Sequence, residues 1–550
     1  MRRALVTALV AAAALALPAA AWAHAALLKT VPPASAEVDT APRAVRLVYD
    51  EVIEPHFAVV SVTDAAGHQQ VDGTLHRSPS DPYEIDVPLR HSAKGWYLVF
   101  WRVISADGHP VRGAFTFRIG PNPGPPPQFV VPSLSETAVT PGLIAFRWLT
   151  FLSLMSAIGL FVLRTLIARP LVHGLRAITV AFGAAIAVAV VATPIYVLLA
   201  TAQFALRFFW SLGALVPLMG SSAFGRGYLR LELLLALFAA AGAVAIWLDR
   251  PERRQRSVVG LLSLWGALLA AGAVLLIPGA AGHAGQTPPR WASLLLDWSH
   301  LASGSVWLGG LIGLLILALR LPVATLLPTV RRFSNVALLA VFVLLGSGIG
   351  AAVVHLPTLA TLWHTGYGKT IIVKASLLAA ALLVASVNLV RTRRNKGLLW
   401  QTVAAEVVLI TSAVVAAAVL SSLPPPPNAL AGLGAPAATA GPGPVTAVVE
   451  RNGYRVEVHV TPNKVAVPDN FAVRITRNDS PVRGATVIAT FTMLDMEMPT
   501  QAYRLAERKP GLYEHSTAAL VMVGRWGLTF QVTPAGAQPF DVVVLDHAAG

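Results

Sequence analysis

The sequence predicts a multidomain membrane protein: an N-terminal β-sandwich, an eight-helix transmembrane bundle and a small C-terminal β-sandwich. Three observations predict it. Of 550 residues, 55% are hydrophobic and 13% charged, with mean hydropathy +0.64, too apolar for one water-soluble globule. Eight apolar stretches are long enough to cross a bilayer. Both flanks carry short alternating runs broken by Pro, Gly and Asp, the signature of small antiparallel domains.

Cysteine is absent, which excludes disulfides, thiolate metal sites, iron–sulfur clusters and cysteine nucleophiles. Soft-metal chemistry must therefore use Met and His. The net charge of +15 is dispersed in small clusters beside apolar runs. That is a topology pattern rather than the continuous basic face a nucleic acid needs, so no nucleic-acid partner is expected.

Residues 1–23 read as a signal peptide, with Arg2 and Arg3, an apolar run from Ala4 to Ala20, and Ala21-Trp22-Ala23 as the cleavage pattern. Cleavage would leave His24 with a free α-amino group, which can chelate a metal together with the imidazole Nδ1. Residues 24–120 follow as an exported sandwich, with strand-like runs at Val45 to Tyr49, Phe57 to Val62, Tyr83 to Val87, Trp96 to Ile104 and Gly113 to Ile119.

Between the last two runs, Asp107 and His109 flank Gly108 and project the same way from extended backbone. With His24 they supply two imidazoles, one carboxylate and a terminal amine. That set suits tetragonal Cu(II), although nickel or zinc would fit it too. Taken singly, His109 and Asp107 are also ordinary turn residues.

The combination is more specific. The segment resembles the CopC copper-resistance family through its N-terminal His and Trp101-Arg102-Val103-Ile104-Ser105-Ala106-Asp107-Gly108-His109-Pro110-Val111-Arg112-Gly113. The resemblance implies that His24, Asp107 and His109 ligate Cu(II), with Glu51 a further weak ligand. No Met lies between residues 24 and 120, so the Met-rich Cu(I) site of some relatives is not expected here.

A Pro-rich linker is predicted over 121–140. The membrane domain, 141–421, should place its eight spans near 142–167, 178–200, 229–248, 257–277, 292–319, 335–355, 369–390 and 399–421. Alternate loops carry the positive clusters, Arg164, Arg169 and Arg176; Arg250, Arg253, Arg254 and Arg256; Arg320, Arg331 and Arg332; and Arg391, Arg393, Arg394 and Lys396. A multi-pass cell (inner) membrane protein with both terminal domains on the periplasmic side is the topology this implies.

In that topology His283, His300, His355 and His364 belong to the outer half. In the fifth span Asp297, His300, Gly304 and Trp307 share one helical face. Intramembrane ionisable groups are expensive and often line a pathway, with interhelical hydrogen bonding as the plainer role. Glu232, Lys374 and Glu406 are further candidates. This region resembles the CopD family through Asp297-Trp298-Ser299-His300-Leu301, Trp307-Leu308-Gly309-Gly310, Arg332-Phe333-Ser334 and Tyr367-Gly368-Lys369 with Lys374. By that resemblance the helical domain handles copper.

After a Pro/Ala/Gly tether over 422–444, a second sandwich is expected over 445–545, with runs at Tyr454 to Val460, Phe471 to Thr476, Ala485 to Met493, Leu512 to Val523 and Trp526 to Val532. Met493, Met496, Met498 and Met522 form a candidate Cu(I) site, since thioethers prefer the soft ion, though Met is also common core filler. The segment resembles the YtkA-like family through Met496-Glu497-Met498-Pro499, Gly511-Leu512-Tyr513 and Gly524-Arg525-Trp526.

Together these readings imply a non-enzymatic copper protein. It would capture Cu(II) outside the membrane and import copper, with the bilayer and a periplasmic copper chaperone as partners. The alternatives are a copper buffer or sensor without transport, and, further off, a copper monooxygenase, against which Asp107 argues by filling the position oxygen would need. Neither a nucleotide-binding Gly-rich loop nor a P-type phosphorylation signature occurs in the cytoplasmic loops.

Overall fold

The computed structural model describes residues 27–33, 36–49, 52–53, 55–90, 92–104, 110–121, 140–171, 174–205, 223–253, 255–287, 289–356, 358–359, 361–394, 400–423, 438–465, 468–494, 501–521 and 524–548. They fall into two compact units, one of helices and one holding both β domains.

The N-terminal domain is the expected sandwich of two four-stranded sheets. One sheet has the order β1 (Leu27–Val31), β3 (Ala44–Tyr49), β6 (Glu84–Pro88), β5 (His76–Arg77). The other runs β2 (Glu37–Val38), β8 (Pro110–Ile119), β7 (Gly95–Ile104), β4 (Val59–Asp64). Strand β7 is central in its sheet and buries both faces, so Trp96 to Trp101 reads as a continuous apolar run. Its Phe100, Trp101 and Val103 meet Val45, Leu47 and Tyr49 of the facing sheet in one core. Arg102 in this strand is buried, and burial with Arg112 close by draws its pKa down to about 10.

Among the described residues eight helices are long and apolar enough to cross a membrane. We label them α1 (Pro141–Val162), α2 (Leu175–Ala205), α3 (Ala223–Leu248), α4 (Val258–Ala280), α5 (Arg290–Ala318), α6 (Val323–His355), α7 (Gly366–Arg393) and α8 (Trp400–Leu420). Their starts are fixed locally. Thr140, Ser257 and Thr365 cap α1, α4 and α7 by accepting from the N–H groups of Leu143, Gly260 and Gly368, and Pro141 opens α1. Helix α6 starts 12 residues before the predicted span, because its first turns, with Pro328, Arg331 and Arg332, are too polar to register as membrane sequence.

Helices α1 and α5 touch backbone to backbone at Gly159 and Gly309, where a Cβ on either would collide with the other helix. Beyond the C-terminal ends of α1 and α3, Asp249 receives Arg164 at 2.7 Å, Arg169 at 2.8 Å and Arg256 at 3.4 Å. Burial alone would raise the Asp249 carboxyl, but the hydrogen bonds from Arg169 and Arg164 hold it below the ordinary carboxylate range. Three of the arginines that predicted topology thus converge on one carboxylate.

The C-terminal domain corrects the expected sandwich. Its strands are β9 (Ala438–Ala440), β10 (Val445–Arg451), β11 (Tyr454–Thr461), β12 (Asp469–Arg477), β13 (Ser480–Pro481), β14 (Thr486–Met493), β15 (Gln501–Lys509), β16 (Leu512–Thr517), β17 (Gly524–Thr533) and β18 (Phe540–Ala548). They form a single ten-stranded sheet in the order β10-β11-β12-β16-β15-β14-β17-β18-β9, with β13 added on β12. The sheet curls into a near-closed barrel, its terminal strands β9 and β10 lying together. The physical reason is β15. This strand hydrogen-bonds to both β14 and β16 and so joins what would otherwise be two sheets.

Candidate copper sites

At the N-terminal domain, His24, Glu51, Asp107 and His109 all lie outside the described residues, but the strands that carry them do not. Leu27, three residues after His24, pairs with Tyr49, two residues before Glu51. Ile104 pairs with Pro110, so residues 105–109 connect two hydrogen-bonded strands. The Tyr49 and Trp101 rings meet edge to face at 5.7 Å, which joins the β1–β3 end of one sheet to the β7–β8 end of the other. Among the described residues the buried Tyr49 hydroxyl and Trp101 indole N–H have no hydrogen-bond partner.

In the helical domain the structure brings together three of the residues singled out from sequence. His300 on α5 bridges two other helices. Its Nδ1 lies 3.1 Å from the Leu344 carbonyl and 3.3 Å from Ser347 Oγ on α6, and its Nε2 lies 3.3 Å from Lys374 Nζ on α7. A carbonyl only accepts, so Nδ1 carries the proton and Nε2 presents its lone pair to the ammonium. Asp297, one turn earlier on α5, is the carboxylate within electrostatic reach of Lys374, and the Tyr367 hydroxyl is also near it. The packing that allows this is glycine-based: Asp297 rests against Gly279 of α4, and the His300 ring lies 3.1 Å from where a Cβ on Gly348 would stand. Trp298 anchors the same stretch by donating to the Gly272 carbonyl at 2.8 Å.

Further along that face of α5 comes Gly304. A Cβ there would fall 2.8 Å from Cε of Met155, a buried α1 side chain. Sequence reading missed Met155. An isolated Met in an apolar span carries no signal of its own, and only the small residue opposite it, Gly304, could have hinted at an insertion. One turn on, the Trp307 indole and the Asn388 amide donate to Glu406 of α8, and Thr402 donates to Asn388 at 2.5 Å. Trp307, Asn388 and Glu406 line a cavity of about 180 Å³ together with Phe333, Thr392 and Val403.

Among the described side chains, His355 stands apart from this group. His355 ends α6, seven residues past Gly348, about 10 Å along the helix axis. His283 and His364 stand in one-turn helices, His283–Gln286 and Thr361–His364, and their side chains are not described. Among the described residues no three His, Asp or Glu side chains converge as a metal-ligand set. In the C-terminal domain Met493 is buried in β14 opposite Trp526, while Met496, Met498 and Met522 lie outside the described residues.

Three family profiles match the chain: a CopC domain over residues 27–120, Copper resistance protein D over 327–420, and YtkA-like over 449–531. The second begins within α6, so Asp297 and His300 lie ahead of it. The chain is 28% identical over 534 residues to a protein named copper transport protein CutJ of Bacillus subtilis (strain 168), covering 93% of both chains. It is 36% identical over 99 residues to protein YobA of Escherichia coli (strain K12), covering 18% of this chain and 80% of that one. Among solved structures, CopC from Methylosinus trichosporium OB3b is 30% identical, covering 18% of this chain and 98% of that one, with a TM-score of 0.17. The matched families are those of transport and resistance proteins, not enzymes. With a CopC domain, a CopD membrane domain and a YtkA-like domain in one polypeptide, the chain belongs to the copper-resistance fusion proteins.

Proposed function

We propose that the chain captures Cu(II) at the exposed end of its N-terminal sandwich and passes copper inward along α5. The Tyr49–Trp101 contact supports the capture half, because it packs β3, which precedes Glu51 in the chain and pairs with β1 after His24, against β7, which precedes Asp107 and His109. In this reading the terminal amine and imidazole of His24, the Asp107 carboxylate and the His109 imidazole hold Cu(II), and Glu51 stands by as a weak fifth donor.

The transit half rests on the order of donors along one face of α5: Asp297 and His300, then Met155, then Glu406 beside the cavity. Copper arriving at His300 takes the Nε2 lone pair that Lys374 now occupies, and Lys374 turns to Asp297. Imidazole serves both oxidation states, and the Met155 thioether would serve copper that an external one-electron donor has reduced to Cu(I). With the arginine clusters facing the cytoplasm, the donors run from the periplasmic half of the bundle to the cytoplasmic half, and the direction is import. His283, His355 and His364 would act as entry ligands on the outer loops. The Met493, Met496, Met498 and Met522 region would hold Cu(I) handed over by a periplasmic chaperone.

A buffer or sensor without transport is the second reading. It is favoured by the complete engagement of His300, whose two ring nitrogens both have partners. Copper accumulation in cells expressing the wild type and His300→Ala separates the two. Import predicts that accumulation rises with the wild type and falls to the background level in the variant. Equal accumulation with no chain, wild type and variant leaves only the buffer.

A further inference from the structure

The C-terminal barrel buries a set of oxygen atoms that its own hydrogen bonds leave unsatisfied. Asp469 opens β12 and Asp546 lies in β18, and they are 0% and 2% exposed, as is Asn463 (0%) in the turn between β11 and β12. Asn463 Nδ2 donates to the Gly443 carbonyl at 2.8 Å and to Asp546 Oδ1 at 2.9 Å, and the Lys464 N–H donates to Asp469 Oδ1 at 3.1 Å. One oxygen of each carboxylate is thereby used. Among the described residues the other oxygens, Oδ2 of Asp469 and Oδ2 of Asp546, are buried with no donor at hydrogen-bond geometry, as is the amide oxygen of Asn463, although the backbone N–H groups of Asn463 and His547 lie beside the two carboxyls.

Leaving a buried polar atom unpaired is costly, and more so when it is charged. Three in one place call for a shared partner. The charges around them do not supply it: among the described residues neither carboxylate forms an ion pair with Lys or Arg, His547 adjoins Asp546 in β18, and Lys464 reaches Asp469 through its backbone. Burial, and Asp546 beside it, push the Asp469 carboxyl up to about 7.

The backbone is shaped to hold the carboxylates close. Asn463 takes a left-handed φ of 59°, a conformation Asn tolerates. Gly441, φ 77°, lets its loop lie so near Asp546 that a Cβ would stand 2.7 Å from Oδ1.

We propose that Asn463, Asp469 and Asp546 are the side-chain ligands of a divalent calcium ion that ties the β9–β10 loop and the β11–β12 turn to β18. All three donors are hard oxygens, with no sulfur or imidazole among them, which suits calcium and not copper. The site is separate from the copper reading and stands without it. Its role is to hold one end of the barrel shut.

The test uses the full chain purified in detergent, stripped with chelator and titrated with calcium chloride by calorimetry, with N463A and the pair D469N/D546N alongside. The wild type should take up one calcium ion with a Kd of about 10⁻⁴–10⁻³ M, the range of extracellular modules. N463A should bind roughly 10-fold more weakly and the double variant at least about 100-fold more weakly. Cu(II) uptake serves as the control for folding and should be unchanged. Should the double variant fail to fold, protease resistance of the wild-type C-terminal domain decides, and protection by millimolar calcium supports the site. No calcium uptake by the wild type, equal uptake by the double variant, or cleavage indifferent to calcium overturns it and leaves a proton shared between the two carboxyls.

Discussion

Imidazole and carboxylate lie two or three residues apart at two places in this chain, after β7 of the N-terminal domain (Asp107, His109) and on α5 (Asp297, His300), and the two places carry the two halves of the proposed function. In the proposed reading of the sandwich the donors are carried by the stretches that follow β7 and β3 and precede β1 in the chain. On α5 the helix fixes Asp297 and His300 one turn apart, and both nitrogens of His300 are already engaged. Loop-borne donors can wrap an ion and bind it tightly. A helix-borne donor that must first give up a lysine binds weakly, which is what a step in a passage requires. The difference teaches that similar residue types make a trap or a stepping stone according to what else holds them.

The largest expected effect breaks the trap. His109→Ala should weaken Cu(II) binding by the purified chain by roughly 100-fold or more, as read by competition with a chelator of known affinity. An unchanged affinity would place the copper elsewhere. Next is the stepping stone: His300→Ala should lower copper uptake by about tenfold while leaving Cu(II) affinity at the sandwich intact, which tests whether the two places are independent. If Cu(II) affinity falls as well, the comparison is wrong.

Lys374→Met sharpens the comparison from the other side. Removing the ammonium frees His300 Nε2, so a chain whose sandwich site is disabled should bind copper a few-fold more tightly at α5, yet turn over more slowly. Tighter binding with faster uptake would remove Lys374 from the passage. The smallest effect belongs to Met155→Leu, which keeps side-chain volume and so costs less than about 1.5 kcal/mol of stability. It should slow uptake by about two- to threefold, and no change would reduce Met155 to packing against Gly304.

Much of this organisation was legible in the sequence. The five strand runs predicted for the first domain correspond to β3, β4, β6, β7 and β8, because strands half or wholly buried announce themselves by apolar alternation. The two-residue β2 and β5, and β1 with its Lys29-Thr30 ahead of Pro32, lack that pattern. All eight spans were visible, since lipid demands long apolar runs whatever the tertiary contacts.

The barrel was not. Its deciding strand β15 reads Tyr503-Arg504-Leu505-Ala506-Glu507-Arg508-Lys509, which turns a charged face outward and resembles a loop. Asp297 and His300 were found from helical spacing, and Lys374 only as an isolated charge in an apolar span. Their meeting depends on how α6 and α7 pack on α5, which no local pattern encodes. Met155, and the cluster at Asn463, Asp469 and Asp546, were invisible for the same reason. Each joins residues far apart in the chain.

The account turns on His24 as the first residue of the mature chain, so the most direct measurement is a Cu(II) titration of two purified forms, one beginning at His24 and one carrying a single Gly ahead of it. The account predicts one tightly held Cu(II) in the first and, because the α-amine is displaced from the ring, an affinity lower by roughly 100-fold in the second. Equal affinity in both forms would contradict it.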